Sequence, residues 1–265
     1  TALEPFTVDS TGDVAEISED AKTIELTAGT IAATTNQTVT ATADSGNTYV
    51  IGQDNGTFSI GGKDFVVAAN EKTPKEGLFI CFSGIEGLAN FAHGNPEFAI
   101  SAALVNETTV LAGVVYNPAR DELFFAEKGK GAFKEGFRSH ERLRVASRQE
   151  LEGALIAVKP SLGDVELSAQ IINNTVALTH DVRVSGSVAL DLSYVAAGKL
   201  DAVIAPDCLP ASIAAGILLV KEAGGMALDM AQTDTRTEVL SKVLNSGNLM
   251  AVSFNLSQKI AKILK

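Results

Sequence analysis

A chain of 265 residues, 46% hydrophobic and 20% charged, has ordinary globular composition and room for one large α/β domain or two modest ones. It holds no Trp and only 6% aromatic residues, so its core must be built from Ala, Val, Leu and Ile. Lys and Arg total 21 against 32 Asp and Glu, and a net charge of −11 excludes nucleic acid and anionic lipid as expected main partners.

Residues 1–75 read as a β-rich N-terminal module. Alternating runs, Thr23 to Thr27, Thr38 to Thr42, Thr48 to Ile51, Thr57 to Ile60 and Asp64 to Val67, are separated by turn signals such as Asp54-Asn-Gly56. Period-two alternation with β-branched residues and Asx-Gly turns predicts a β-meander. A helical period is discernible only around Asp13 to Lys22. The zone has few Lys and no Pro between Pro5 and Pro74, which leaves strand edges thinly protected.

Residues 76–265 read as an α/β domain, in which strands and helices alternate. Strands are predicted over Gly77 to Phe82, Pro96 to Asn106, Val110 to Tyr116, Glu122 to Glu127, Ala154 to Val158, Leu200 to Ile204, Met226 to Asp229 and Leu249 to Val252. Helices are predicted over Val165 to Asn173, Ser187 to Ala197, Ile213 to Ala223 and Ser257 to Leu264. Gly224-Gly225 stops the third of these helices.

The two cysteines cannot make a disulfide framework, and three scattered histidines cannot make a zinc set. Cys81 reads as a core thiol. Cys208 lacks a recognisable His partner, and His93 reads as a capping or solvated residue. Gly129-Lys-Gly131 lacks the Walker spacing and reads as a turn. No charged-then-apolar leader opens the chain, and the apolar run Ile213 to Val220 is too short for a membrane span. These features suggest a cytoplasmic protein, or one within a particle assembled in the cytosol, without membrane insertion.

Four stretches carry a resemblance. They are Phe82-Ser-Gly-Ile-Glu-Gly-Leu-Ala-Asn-Phe91, the hairpin from Gly113 to Phe133, the block from Arg183 to Ala202, and Pro210-Ala-Ser-Ile-Ala-Ala-Gly216 followed by Glu222-Ala-Gly-Gly225. In order and spacing, over about residues 77–265, the chain resembles the inositol monophosphatase family of the sugar-phosphatase superfamily. The resemblance implies a layered α/β fold, here with a β-meander in place of the usual N-terminal helices. It also implies carboxylates holding two or three Mg²⁺ ions for attack of water on a phosphate monoester.

Departures from the family pattern shape the functional expectation. The family's metal-motif acids fall on Ser83 and Glu86, and the metal Asp of the fourth stretch falls on Ser212. A water-orienting Thr falls on Leu88, and a substrate-side Glu falls on Ala205. These substitutions predict a degenerate metal site, with no bound metal and no cofactor. The expectation is a catalytically inactive relative with a structural or assembly role through a protein partner or self-assembly. The competing expectations are a residual Mg²⁺-dependent phosphatase completed by acids such as Asp54 or Asp64, and a binder of a small anionic ligand. Gly87, Gly186 and Ser187 are the candidate anion-binding positions, because turns at helix starts present backbone N–H groups.

Overall fold

The computed structural model describes residues 77–264 apart from 108, 137–138, 162, 180 and 232–239, and before residue 77 the backbone of four strands. Those strands are β1 (Thr38–Thr42), β2 (Thr48–Gly52), β3 (Thr57–Ile60) and β4 (Lys63–Ala68). They coincide with four of the five alternating runs; the run Thr23 to Thr27 lies outside the described residues. β1 and β2 form an antiparallel pair, while β3 and β4 join the larger sheet.

That sheet continues through β5 (Leu78–Glu86), β6 (Ala99–Asn106), β7 (Thr109–Asn117), β8 (Glu122–Glu127), β9 (Gly131–Gly136) and β10 (Ser139–Arg142). Its eight strands lie in simple sequence order, all antiparallel except β4 against β5. The sheet therefore runs across residue 75. On one face Phe79, Ala103, Val115 and Phe124 are buried. Two helices cover that face, α3 (Val188–Ala196) and α4 (Pro210–Glu222). The approach is close: a Cβ on Gly113 of β7 would lie 2.8 Å from Cα of Ala215 in α4.

Behind the two helices stands a second sheet of five strands: β11 (Leu155–Val158), β12 (Asp181–Arg183), β13 (Ala202–Ala205), β14 (Gly225–Asp229) and β15 (Leu249–Ser253). Their order is β12-β11-β13-β15-β14, with β12, β11 and β13 parallel. Apart from the exposed edge strand β12, both faces of this sheet are largely buried, which is why β11, β13, β14 and β15 read as apolar runs rather than alternating ones. Ala157, Val203 and Ala251 face α3 and α4. Ile156, Ile204 and Met250 face α2 (Val165–Thr179) and the C-terminal segment, through Ile171, Ile260 and Ile263. The layers are thus sheet, helices, sheet, helices, and the expected α/β architecture is what the chain adopts.

Several boundaries differ from expectation for local reasons. β5 runs on to Glu86, with a register shift against β6 between Ser83 and Glu86. The short α1 (Leu88–Ala92) follows at once from Gly87, whose φ of 87° is left-handed and suits glycine. The predicted terminal helix is a 3₁₀ turn over Phe254–Leu256 and a single turn, α6 (Ser257–Ile260). Among the described residues no helix is long and apolar enough to cross a membrane.

Candidate functional site

Three side chains from distant positions meet at the end of β5. Glu86 is the last residue of that strand. The Ser212 hydroxyl, from the first turn of α4, donates to Oε1 of Glu86 at 2.6 Å. The Ser83 hydroxyl, three residues upstream, donates to the same oxygen. The bulged pairing between β5 and β6 re-aims these residues, a common use of a bulge beside a functional site. The fold therefore brings together Ser83, Glu86 and Ser212, as the spacing of the motifs implied. Ser101 pairs directly opposite Ser83 across β5 and β6. It is fully buried, and its hydroxyl has no partner among the described residues.

The turn before α3 lies alongside. A Cβ on Gly87 would come within 2.8 Å of the Glu97 carbonyl oxygen and 3.4 Å of the Gly186 carbonyl oxygen. The two glycine turns are stitched together by Asn90, whose amide donates to the carbonyls of Glu97 at 2.6 Å and Ser185 at 2.7 Å. Ser187 caps the start of α3. It is 1% exposed, and its hydroxyl has no partner among the described residues. Its backbone N–H donates to Oγ of Ser185, which donates in turn to Asp191 at 2.8 Å. Burial pushes the Asp191 carboxyl up to about 7, against the pull of the Ser185 hydroxyl and with a smaller push from Glu97.

The remaining candidates sort themselves by position. Ala205 is fully buried at the end of β13, and Leu88 is largely exposed on α1. Burial pushes the Cys81 and Cys208 thiols up to about 12, so neither is a ready thiolate. His93 closes α1, with Nδ1 facing the Ala89 carbonyl at 2.8 Å. The loop around Gly129 and Gly131 is a turn, and its N–H groups bind the Glu222 carboxylate of α4 rather than a ligand.

As a donor set, Ser83, Glu86 and Ser212 offer one carboxylate and two hydroxyls. All are hard oxygens of the kind Mg²⁺ accepts, and Mg²⁺ often takes one or two carboxylates and fills its shell with water and substrate phosphate. The set fits one ion, held through Glu86, and not a cluster of two or three. Among the described residues no group of three or more His, Cys, Asp or Glu can hold a metal. The side chains of Asp54 and Asp64 lie outside the described residues.

A sequence profile of the inositol monophosphatase family matches residues 9–265. The chain belongs to the inositol monophosphatase family. It is 38% identical over 184 residues to an inositol-1-monophosphatase of Mesorhizobium japonicum, covering 68% of this chain and 65% of that protein. It is 35% identical over 185 residues to a putative Nus factor SuhB of Neisseria meningitidis serogroup B, covering 68% of this chain and 66% of that one. A solved inositol monophosphatase from Thermotoga maritima superposes with a TM-score of 0.65 at 32% identity, over 75% of this chain and 73% of that one. The match thus spans about 65% of the length of the Mesorhizobium relative.

These findings correct the functional expectation. A catalytically inactive, structural or particle-forming relative was the reading suggested by the substitutions at Ser83, Ser212, Leu88 and Ala205. Relatives at 35–38% identity carry the name of the enzyme, which overturns that reading and its assembly role. Two of the replacements, Ser83 and Ser212, are gathered by the fold onto the one remaining carboxylate, Glu86, whereas Leu88 is exposed and Ala205 is buried in β13.

Proposed function

We propose that this member of the inositol monophosphatase family is a Mg²⁺-dependent phosphatase acting on a small phosphate monoester, a sugar or nucleotide phosphate. The observation that carries the reading is the convergence of Ser83 and Ser212 on Glu86, beside the Gly186-Ser187 turn. Glu86, with Ser83 and Ser212, would hold Mg²⁺, which polarises a phosphoryl oxygen and favours water as nucleophile. The two hydroxyls orient the carboxylate. The start of α3 offers backbone N–H groups and the unpartnered Ser187 hydroxyl to the phosphate oxygens. Acids within residues 9–76, such as Asp54, are the proposed source of further metal ligands; Asp64 is not one of them, because the parallel pairing of Val66 with Phe79 sets it level with Gly77, at the far end of β5 from Glu86.

The test is phosphate release from a panel of inositol, sugar and nucleotide monophosphates, with and without Mg²⁺. Turnover that needs Mg²⁺ and is lost in Glu86→Gln supports the proposal. A second reading is favoured by Ser187: binding of a sugar phosphate without turnover. Saturable, metal-independent binding with no product would decide for it. The likeness to proteins named Nus factor SuhB also supports a protein partner, and co-purification from the source cell tests that part separately.

A further inference from the structure

Lys159 stands immediately after β11, far in sequence from the site, and its ammonium reaches across to the segment that leads into α4. Nζ donates to the carbonyl oxygens of Asp207 at 2.9 Å and Pro206 at 3.1 Å, with that of Pro160 at 3.5 Å. Asp207 holds a left-handed φ of 54°, unfavourable for a residue with a Cβ. Its N–H donates to Oδ1 of Asn248 at 3.0 Å, so this residue is pinned at its amide and at its carbonyl. Next in the chain, the Cys208 N–H donates to the Gly247 carbonyl at 2.8 Å. Leu209 then caps α4, Pro210 opens it, and the Ser212 N–H returns to the Leu209 carbonyl at 3.0 Å. The Ser212 hydroxyl ends this path on Glu86.

The same groups bear on one thiol between them. Lys159, Glu86 and Asp207 all act on the Cys208 thiol, Lys159 in the opposite direction to the two acids. Carbonyl oxygens converging on an ammonium are held by charge-assisted bonds, stronger than neutral ones. A strained turn persists only where its surroundings hold it. Nothing else among the described contacts engages the carbonyls of Pro206 and Asp207 in this way except the weak Cys208 thiol contact to Pro206 at 3.7 Å.

We propose that Lys159 is a positioning residue: it clamps the Pro206–Asp207 turn and so sets the start of α4 at which Ser212 meets Glu86. The proposal rests on the reading of Glu86 and Ser212 as part of the phosphate site. Lys159 itself touches neither Glu86 nor Ser212 by a hydrogen bond, and it acts through the main chain of residues 206–209.

The experiment uses the full chain with Lys159→Met, which keeps the length of the side chain and removes its charge and donors. Two quantities are read: hydrogen exchange over residues 206–212, and affinity for inorganic phosphate in the presence of Mg²⁺. Exchange about tenfold faster over 206–212, with β6 to β8 unchanged, and phosphate affinity lowered several-fold are expected. Unchanged exchange overturns the clamp, and faster exchange with wild-type phosphate affinity overturns its link to the site. A second variant, Asp207→Gly, removes the strain that the clamp holds. In that background Lys159→Met should have a smaller effect on exchange, and an equal effect overturns the proposal even if the single variant folds poorly. If the wild type binds no phosphate, the functional reading fails, while the exchange data still judge the clamp.

Discussion

The Ser212 hydroxyl donates to Oε1 of Glu86 at 2.6 Å, although 126 residues separate the two in sequence. One comes from the first turn of α4 and the other from the end of β5, so the contact joins the inter-sheet helix layer to the large sheet. Removing it by Ser212→Ala takes a hydrogen bond from a carboxylate, worth roughly 1.5–3 kcal/mol. About a tenfold or greater loss in turnover on a phosphate monoester is expected, from 1.4 kcal/mol per factor of ten. Steady-state kinetics check this, with thermal melting as control; a variant with wild-type turnover removes Ser212 from the site.

Ser187→Ala separates binding from stability. The Ser187 hydroxyl is buried without a partner among the described residues, so deleting it takes away no hydrogen bond to them. The melting temperature should hold or rise, while affinity for inorganic phosphate falls. Calorimetric titration together with a melt reads both. A destabilised variant with unchanged affinity means that the hydroxyl serves the core.

Asp191 gives a pH signature. Its folded carboxyl titrates near 7 against an ordinary value of 3.8, so between those values the folded state binds the proton that the unfolded state has released. This contribution to stability falls as pH rises from about 4 to about 7 and stays low above it. Asp191→Asn has no such titration. Its stability relative to wild type should therefore grow across that window, by about 1 kcal/mol or more in denaturant melts at pH 4 and pH 8. A difference independent of pH contradicts the assignment.

Gly216→Ala tests the packing of the helix layer. Alanine favours a helix interior over glycine by about 1 kcal/mol. A Cβ at this position, however, would lie 2.6 Å from Cβ and 2.5 Å from Cδ1 of Leu192 in α3. Contact with the Leu192 Cβ cannot be relieved by rotating a side-chain tip, and overpacking costs about 1–3 kcal/mol. Net destabilisation is expected in denaturant melts, and a stabilised variant would mean that α3 and α4 yield easily.

Much of this architecture is legible in the sequence, and the reasons are specific. Glu122 to Glu127 reads as a strand at its true limits because it lies beside a Pro-containing turn. Gly224-Gly225 marks the end of α4 for a similar reason. β10, over Ser139–Arg142, is polar and largely exposed, so no apolar alternation announces it. α5 (Leu240–Ser246) and β12 are equally silent, being short and placed by packing rather than by propensity.

The site is legible only as a set of positions. Three of the four motifs place Ser83, Glu86, Ser212 and Ser187 on the chain, yet the hydroxyls turned onto one carboxylate oxygen appear only when β5 and α4 are packed. Asn90, which ties the two glycine turns together, sits inside the first motif and gives no separate signal. Ser101, Lys159 and Asp191 matter through burial and long-range contact. No spacing rule reports these, and their roles follow from the fold.

Glu86 is the proposed metal-holding carboxylate of a phosphatase site. The most direct measurement is phosphate release by the full chain and by Glu86→Gln across a Mg²⁺ titration, on a panel of sugar, inositol and nucleotide monophosphates. Mg²⁺-dependent turnover is expected in the wild type, abolished in the variant while its melting temperature stays close. Wild-type turnover that survives Glu86→Gln, or no Mg²⁺-dependent release from any monoester, contradicts it.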